Sequence, residues 1–316
     1  MNTVASSESR PVPASPPAGW SHLPPEYAIP AVAPSLAEAE QYCRRLARSH
    51  YENFSVATWF LPPRLRQPFF NVYAYCRISD DLGDEVGDAA ASLRLLDQWE
   101  EELEACYAGR PRHPVFVALS GTVKQFDIPK SEFANLLKAF RQDQTIRRYQ
   151  TFDDLLGYCL NSANPVGRLV LCLCGHRDAE RQQLSDFTCT ALQLANFWQD
   201  VSIDYDGKDR IYLPLEDLCR FGVTEEDLKR HRNTAAFRGM MKFEVERARD
   251  WFRRGEPLIG KVEKDLALDI ELFTRGGQEI LNAIEAQDYA VLGRRPSISK
   301  VRKLALVARA ALGRLR

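Results

Sequence analysis

The chain has 316 residues, enough for one large domain or two of ordinary size. With 45% hydrophobic residues and a formal net charge of -1, it has a core to bury and no global basic field to draw nucleic acid. Eight cysteines form no Cys-x-x-Cys pair and no run of eighteen apolar residues occurs, which fits a reduced, cytoplasmic protein that does not span a membrane.

Residues 1–34 hold eight of the eighteen prolines, interleaved with Ser and Ala, and lack the basic start and apolar run of a signal peptide. They read as a disordered or loosely draped arm ahead of a single domain over 35–316. Ser35 suits an N-cap for a helix to about residue 50, and Pro62-Pro63 marks a break. The next helix, 64–85, carries Leu65, Phe69, Val72, Tyr73, Cys76 and Ile78 at helical spacing and ends in acids. Further helices are predicted at 90–108, 115–126 and 131–147, and Thr151 caps one whose first turn holds Asp153 and Asp154. Pro165 interrupts that helix, leaving Asn161, Ser162 and Asn164 free for other partners. A long helix follows over 178–204, then a polar, mobile turn at 205–210. Short helices from 215 and 224 and longer ones at 234–254, 264–292 and 298–312 complete the chain. Period-two alternation is almost absent, so the fold class is all-α, a bundle around a central cavity.

Two stretches stand out. Gln193-Leu-Ala-Asn-Phe-Trp-Gln-Asp-Val-Ser-Ile-Asp204 sets Asn196, Asp200 and Asp204 four residues apart, on one helix face. Such a row alone is more often a solvated face. A second copy shifts the balance: Tyr73-Ala-Tyr-Cys-Arg-Ile-Ser-Asp-Asp-Leu-Gly-Asp84 again places carboxylates, Asp80 and Asp84, at i and i+4. Facing each other, the two rows could hold Mg²⁺, which takes carboxylate and phosphate oxygens, and through it a diphosphate.

These two stretches, with Arg210-Ile-Tyr-Leu-Pro214 downstream, resemble the signatures of the squalene/phytoene synthase family over residues 36–305. The resemblance implies an isoprenoid-synthase fold, a Mg²⁺ cluster (three ions with bound diphosphate) and 1′-1 chemistry on prenyl diphosphates. It makes Asp80, Asp84, Asn196, Asp200 and Asp204 metal ligands. It places Arg77 on diphosphate, Tyr158 and Gln193 near the reacting carbons, and Phe54 and Tyr73 in the pocket wall, with Tyr73 counted beside Tyr158 and Arg77 among the catalytic candidates. Arg210 and Tyr212 match the flap after the second signature, and Arg275 is a further candidate for phosphate.

Three departures narrow the choice. Gln199 stands where many family members carry Arg. Ser162-Ala-Asn-Pro-Val-Gly167 replaces a Val-Ala-Gly-x-Val-Gly pattern, and Glu52-Asn53 precedes Phe54 where Ser is common. With Arg275-Gly-Gly277, they resemble the bacterial hopanoid-pathway branch that turns presqualene diphosphate and water into hydroxysqualene and diphosphate beside neighbouring pathway enzymes. No nicotinamide cofactor is then expected.

Ionising such a diphosphate needs Lewis-acid and cationic neutralisation of the leaving group, and no protein nucleophile. Aromatic faces then stabilise the carbocation by roughly 0.5–2 kcal/mol each. Of Phe54, Trp59, Phe69, Tyr73, Tyr158, Phe197 and Trp198, the strongest candidates are Phe54, Tyr73 and Tyr158. Asn161, Asn164 or Gln199 could hold the captured water or could merely cap broken helix ends. Gly276-Gly277 marks either a close approach or a local break. The basic amphipathic segment 300–316 could make a peripheral membrane contact or dock on the bundle with a solvated face. Competing readings are presqualene diphosphate or squalene synthase acting on farnesyl diphosphate, more remotely phytoene synthase, and a non-catalytic helical scaffold. A di-iron bundle is disfavoured because no Glu-x-x-His occurs.

Overall fold

A computed structural model describes residues 23–49, 62–299 and Arg302. Phe54, Trp59 and, Arg302 apart, the basic segment from 300 lie outside the described residues. Among the described residues the regular structure is helical, with an isolated bridge between Arg148 and Ile211.

The helices are α1 (Leu36–Ser49), α2 (Pro63–Asp84), α3 (Ala89–Tyr107), α4 (Pro114–Phe126), α5 (Lys130–Gln142), α6 (Phe152–Ser162), α7 (Asn164–Leu173), α8 (Ala179–Lys208), α9 (Leu215–Phe221), α10 (Glu225–Lys229), α11 (Ala235–Gly255) and α12 (Lys264–Ala286). Local chemistry explains the boundaries. Thr151 and Asp154 form a reciprocal capping box at α6, a cap worth about 1 kcal/mol. Ala163, at φ −115° and ψ −48°, separates α6 from α7, and Pro165 falls in the first turn of α7, where its missing N–H costs nothing.

Three boundaries differ from expectation. The helix expected to reach 147 stops at Gln142, because the chain must turn so that Ile211 N–H can donate to Arg147 O at 2.8 Å. The stretch expected as a mobile turn at 205–210 instead continues α8 to Lys208. Asp209 caps it at φ +50°, bonded by the guanidinium of Arg148. α12 ends at Ala286 rather than 292, since Asp288 and Tyr289 adopt left-handed conformations that stop a helix.

Two cores result. One joins α1–α5 around Tyr75, Trp99, Phe116 and Phe133; the other joins α6, α8, α11 and α12 around Trp198, Phe237 and Phe252. Leu23 and Tyr27, at the end of the proline-rich arm, are buried against the first core. Gly277 lets α12 close on its neighbours: a Cβ there would lie 2.4 Å from Phe252 Cζ and 2.9 Å from Leu192 Cδ2. α2 belongs to the first core and α8 to the second, so the hollow between them is shared.

Candidate active site

A cavity of about 190 Å³ lies between α2, α7, α8 and α12. Phe69 lines it from α2, Val166, Gly167 and Val170 from α7, Ser185, Cys189 and Leu192 from α8, and Ile270 and Phe273 from α12. Gly167 brings α7 hard against α8, since a Cβ there would meet Ser185 Oγ at 2.3 Å. Asn164 secures the same junction by accepting from Thr190 Oγ1 at 3.0 Å.

Helical spacing sets what lies above the cavity. On α8, Ser185 and Cys189 share a face with Asn196, Asp200 and Asp204; on α2, Phe69 shares one with Tyr73, Asp80 and Asp84. From Phe69 to Asp80 and from Cys189 to Asp200 is eleven residues, about 16 Å at 1.5 Å per residue. Both helices thus run from apolar to acidic in the same sense.

The acidic ends meet. Asp84 accepts from Lys208 Nζ at 2.5 Å and Arg210 Nη1 at 3.1 Å, so the end of α8 reaches that of α2. Burial, then the charge of Asp84, pushes the Asp80 carboxyl up to about 6. Its side chain keeps 48% exposure, so water screens part of that repulsion. Burial, then Asp200, pushes Asp204 up to about 7, with Asp84 adding from the opposite wall and Lys208 and Arg210 opposing. Asp200 is held by Arg295, whose Nη2 lies 2.9 Å from Oδ2. Asn196 is exposed on the same face.

Arg77 binds the buried Asp81 through Nε at 3.1 Å and lies 3.7 Å from Asp80. Asp81 also accepts from Tyr27 OH at 2.7 Å, so it anchors the guanidinium beside the acidic row. Beyond the row, Tyr149, Tyr158, Phe197 and Tyr212 form an aromatic cluster in which Phe197 and Tyr212 stack at 3.9 Å and 10°. Tyr158 OH donates to Asp143 Oδ2 at 2.8 Å, while Asp143 Oδ1 is buried without a hydrogen-bond partner. Burial pushes Asp143 up to about 6, against the pull of Arg210, and burial raises the Tyr158 and Tyr212 phenols well above their usual value. Arg210 donates to both Asp84 Oδ1 and the Asp143 carbonyl, and its own pKa is raised despite burial because Asp143, Tyr212 and Asp84 surround it.

Of the residues singled out from sequence, Asp80, Asp84, Asp200, Asp204, Arg77 and Arg210 come together at one rim, and Tyr158 and Tyr212 share the cluster beside it. Tyr73 and Gln193 are half-buried on α2 and α8. Arg275 is exposed on α12, paired with Glu271, and both ends of the Gln199 amide are taken by the segment after α12. Asp143, Lys208, Arg295 and Tyr149 were not anticipated. Lys208 could have been, since it falls four residues after Asp204 on the same face.

The residues fit a hard divalent cation in their donor chemistry: four carboxylates face one rim, and Asp80 and Asp204 have raised pKa values, first through burial and second through repulsion by a neighbouring carboxylate. Among the described residues no three acidic, imidazole or thiolate groups converge on one point, and Lys208, Arg210 and Arg295 are paired with two of the carboxylates, Asp84 and Asp200. Among the described residues no helix is long and apolar enough to cross a membrane.

Comparison with known proteins gives the family. A family model described as squalene/phytoene synthase matches residues 47–302. The chain is similar to the crystal structure of squalene synthase HpnC from Alicyclobacillus acidocaldarius, at 46% identity and TM-score 0.77, covering 80% of this chain and 95% of that one. It is similar to a dehydrosqualene synthase solved with a ligand, at 27% identity and TM-score 0.80, covering 89% and 98%. It is 33% identical over 282 residues to 15-cis-phytoene synthase from Synechocystis sp., covering 85% of this chain and 83% of that protein. The chain belongs to the squalene/phytoene synthase family.

Proposed function

We propose that this family member is a Mg²⁺-dependent synthase that converts presqualene diphosphate and water to hydroxysqualene and diphosphate. The observation that carries the reading is the pair of helices, α2 and α8, which run in parallel from one apolar cavity to acidic ends that meet through Lys208 and Arg210. The cavity's lining is apolar, as a hydrocarbon chain requires, and the charged rim suits a diphosphate.

Asp80, Asp84, Asn196, Asp200 and Asp204 would hold the Mg²⁺. The metal would supply Lewis-acid neutralisation of the leaving diphosphate. Arg77, anchored by Asp81, adds a fixed cation beside Asp80. The C–O bond breaks with its electron pair leaving on diphosphate. The cyclopropylcarbinyl cation then opens between cavity and rim, where Tyr73, on the α2 face that carries Phe69 and Asp80, would offer it an aromatic face. Water oxygen closes on the resulting cation, and its proton passes to solvent or the departing diphosphate.

Identity favours a C15-derived substrate: 46% to a chain named squalene synthase against 33% to one named phytoene synthase. Gln199 and the segment 162–167 depart from the condensing branches in the same direction. Those phytoene synthase names, however, favour a second reading, head-to-head condensation of two prenyl diphosphates. Purified protein with Mg²⁺ and no reductant, given presqualene, farnesyl or geranylgeranyl diphosphate in separate tubes, separates the two. The proposal expects an alcohol from presqualene diphosphate alone; a condensed hydrocarbon or presqualene diphosphate from the shorter substrates would overturn it.

A further inference from the structure

Gln199 lies on α8 beside Asp200 and is buried. Consecutive helical residues face different directions, so Gln199 does not join Asn196, Asp200 and Asp204 on the acidic row. Its amide is instead bonded at both ends by the chain after α12. Nε2 donates to Pro296 O at 2.6 Å, and Oε1 accepts from Arg295 Nη2 at 3.3 Å. The same segment is tied down at two earlier points, once to α8 and once to the loop before α11. Gly293 N–H donates to Ser202 Oγ at 3.0 Å, and Asn233 bonds both the N–H and the carbonyl of Leu292. At the end of the strap, the Arg295 guanidinium grips both oxygens of Asp200.

We infer that Gln199 is a positioning residue that pins Arg295 onto Asp200, making this guanidinium the carboxylate's counter-ion until a divalent metal displaces it. Here the cation arrives from a segment about a hundred residues later, and the neutral amide is the clamp that delivers it. A free guanidinium, half-exposed on an irregular segment, would sample many rotamers. Fixing it by one bond to its Nη2 and another to the adjacent carbonyl removes most of that freedom. Asp200 thus presents a neutralised face to solvent, and a metal must win the carboxylate from Arg295.

This inference rests on Asp200 being a metal ligand. Its test reads metal binding without turnover: the dissociation constant of Mn²⁺ alone, followed by electron paramagnetic resonance, for the native chain, Arg295→Gln, Gln199→Met and the double variant. Displacing a partly exposed counter-ion should matter by about two- to fivefold. Arg295→Gln should therefore bind Mn²⁺ tighter by that factor, and Gln199→Met should do the same in part. Because the two act through one contact, the double variant should match Arg295→Gln rather than add to it. Unchanged affinity in Arg295→Gln, or additive effects in the double variant, would overturn the inference while leaving the Mg²⁺ reading intact. Failure of the native chain to bind Mn²⁺, with or without inorganic pyrophosphate, would overturn both. Gln199→Asn, which keeps the amide but shortens its reach, gives the same readout should Met at this site disturb folding.

Discussion

Nζ of Lys208, the last residue of α8, stands 2.5 Å from Oδ2 of Asp84, the last residue of α2. This contact, with that of Arg210 to the same carboxylate, joins the two acidic rows at a common rim, although each helix packs into a different core. If the rim holds metal and diphosphate, Asp80→Asn and Asp200→Asn should each lower Mg²⁺-dependent diphosphate release by at least about a hundredfold. Far-UV circular dichroism should stay unchanged, since neither side chain supports the core. Full activity in either variant would detach the acidic rows from the chemistry.

Proton competition sets the pH dependence. Asp80, pushed up to about 6, and Asp204, pushed up to about 7, hold protons that a metal must displace. Apparent Mg²⁺ affinity should rise with pH to about 7 and level off above, with protons released on binding near pH 6.5. Titration calorimetry in buffers of different ionisation enthalpy counts them. The sign for stability is opposite. A carboxyl raised in the fold binds more protons folded than unfolded, so between about pH 4 and 7 the metal-free fold should lose stability as pH rises. Glu244, fully buried on α11 and pushed up to about 8 by burial despite Arg247, extends that decline by another unit. A metal-free melting temperature that climbs across this range would contradict the assignment.

The adjacent glycines of α12 should separate cleanly. Gly277→Ala drives a methyl into Phe252 and Leu192 and should cost about 1–3 kcal/mol. At Gly276 a Cβ meets nothing within 4 Å, so alanine there should stabilise by up to about 1 kcal/mol through helix propensity. Urea midpoints of the two variants moving in opposite directions is the expected result; equal shifts would mean that α12 packs differently.

Tyr158→Phe removes the hydroxyl that donates to Asp143, leaving a buried carboxyl without its only side-chain donor among the described residues. The expected cost is about 1–3 kcal/mol. The Asp143 pKa should rise further, because the tyrosine bond opposes the effect of burial. NMR titration of the carboxyl carbon checks the direction, and a fall would refute it.

Much of this was legible in the chain. Helical periodicity is strong because nearly every helix buries one face, and Asp80, Asp84, Asp200 and Asp204 are legible because i, i+4 spacing survives any bundle geometry. What escaped lies where the fold brings distant segments together. Asp143 follows α5 in a turn with no motif, and only its burial beside Tyr158 and Arg210 marks it. Arg295 meets Asp200 across 95 residues, a contact that no local pattern encodes. Lys208 was missed because the Gly207-containing stretch reads as a turn, whereas the cap at Asp209, bonded by Arg148, carries the helix one more turn. Gln199 carried a signal as a departure from the family pattern, but its partner came only from the fold.

The central claim is that two acidic rows grip a diphosphate through bound metal above one apolar cavity. A crystal structure of the chain with Mn²⁺ and inorganic pyrophosphate, with data collected at the manganese edge, tests it most directly. Anomalous peaks should lie between Asp80 and Asp84 on one side and Asn196, Asp200 and Asp204 on the other, with Lys208 and Arg295 drawn off their carboxylates. Peaks elsewhere, or a pyrophosphate bound with no metal between the rows, would contradict it.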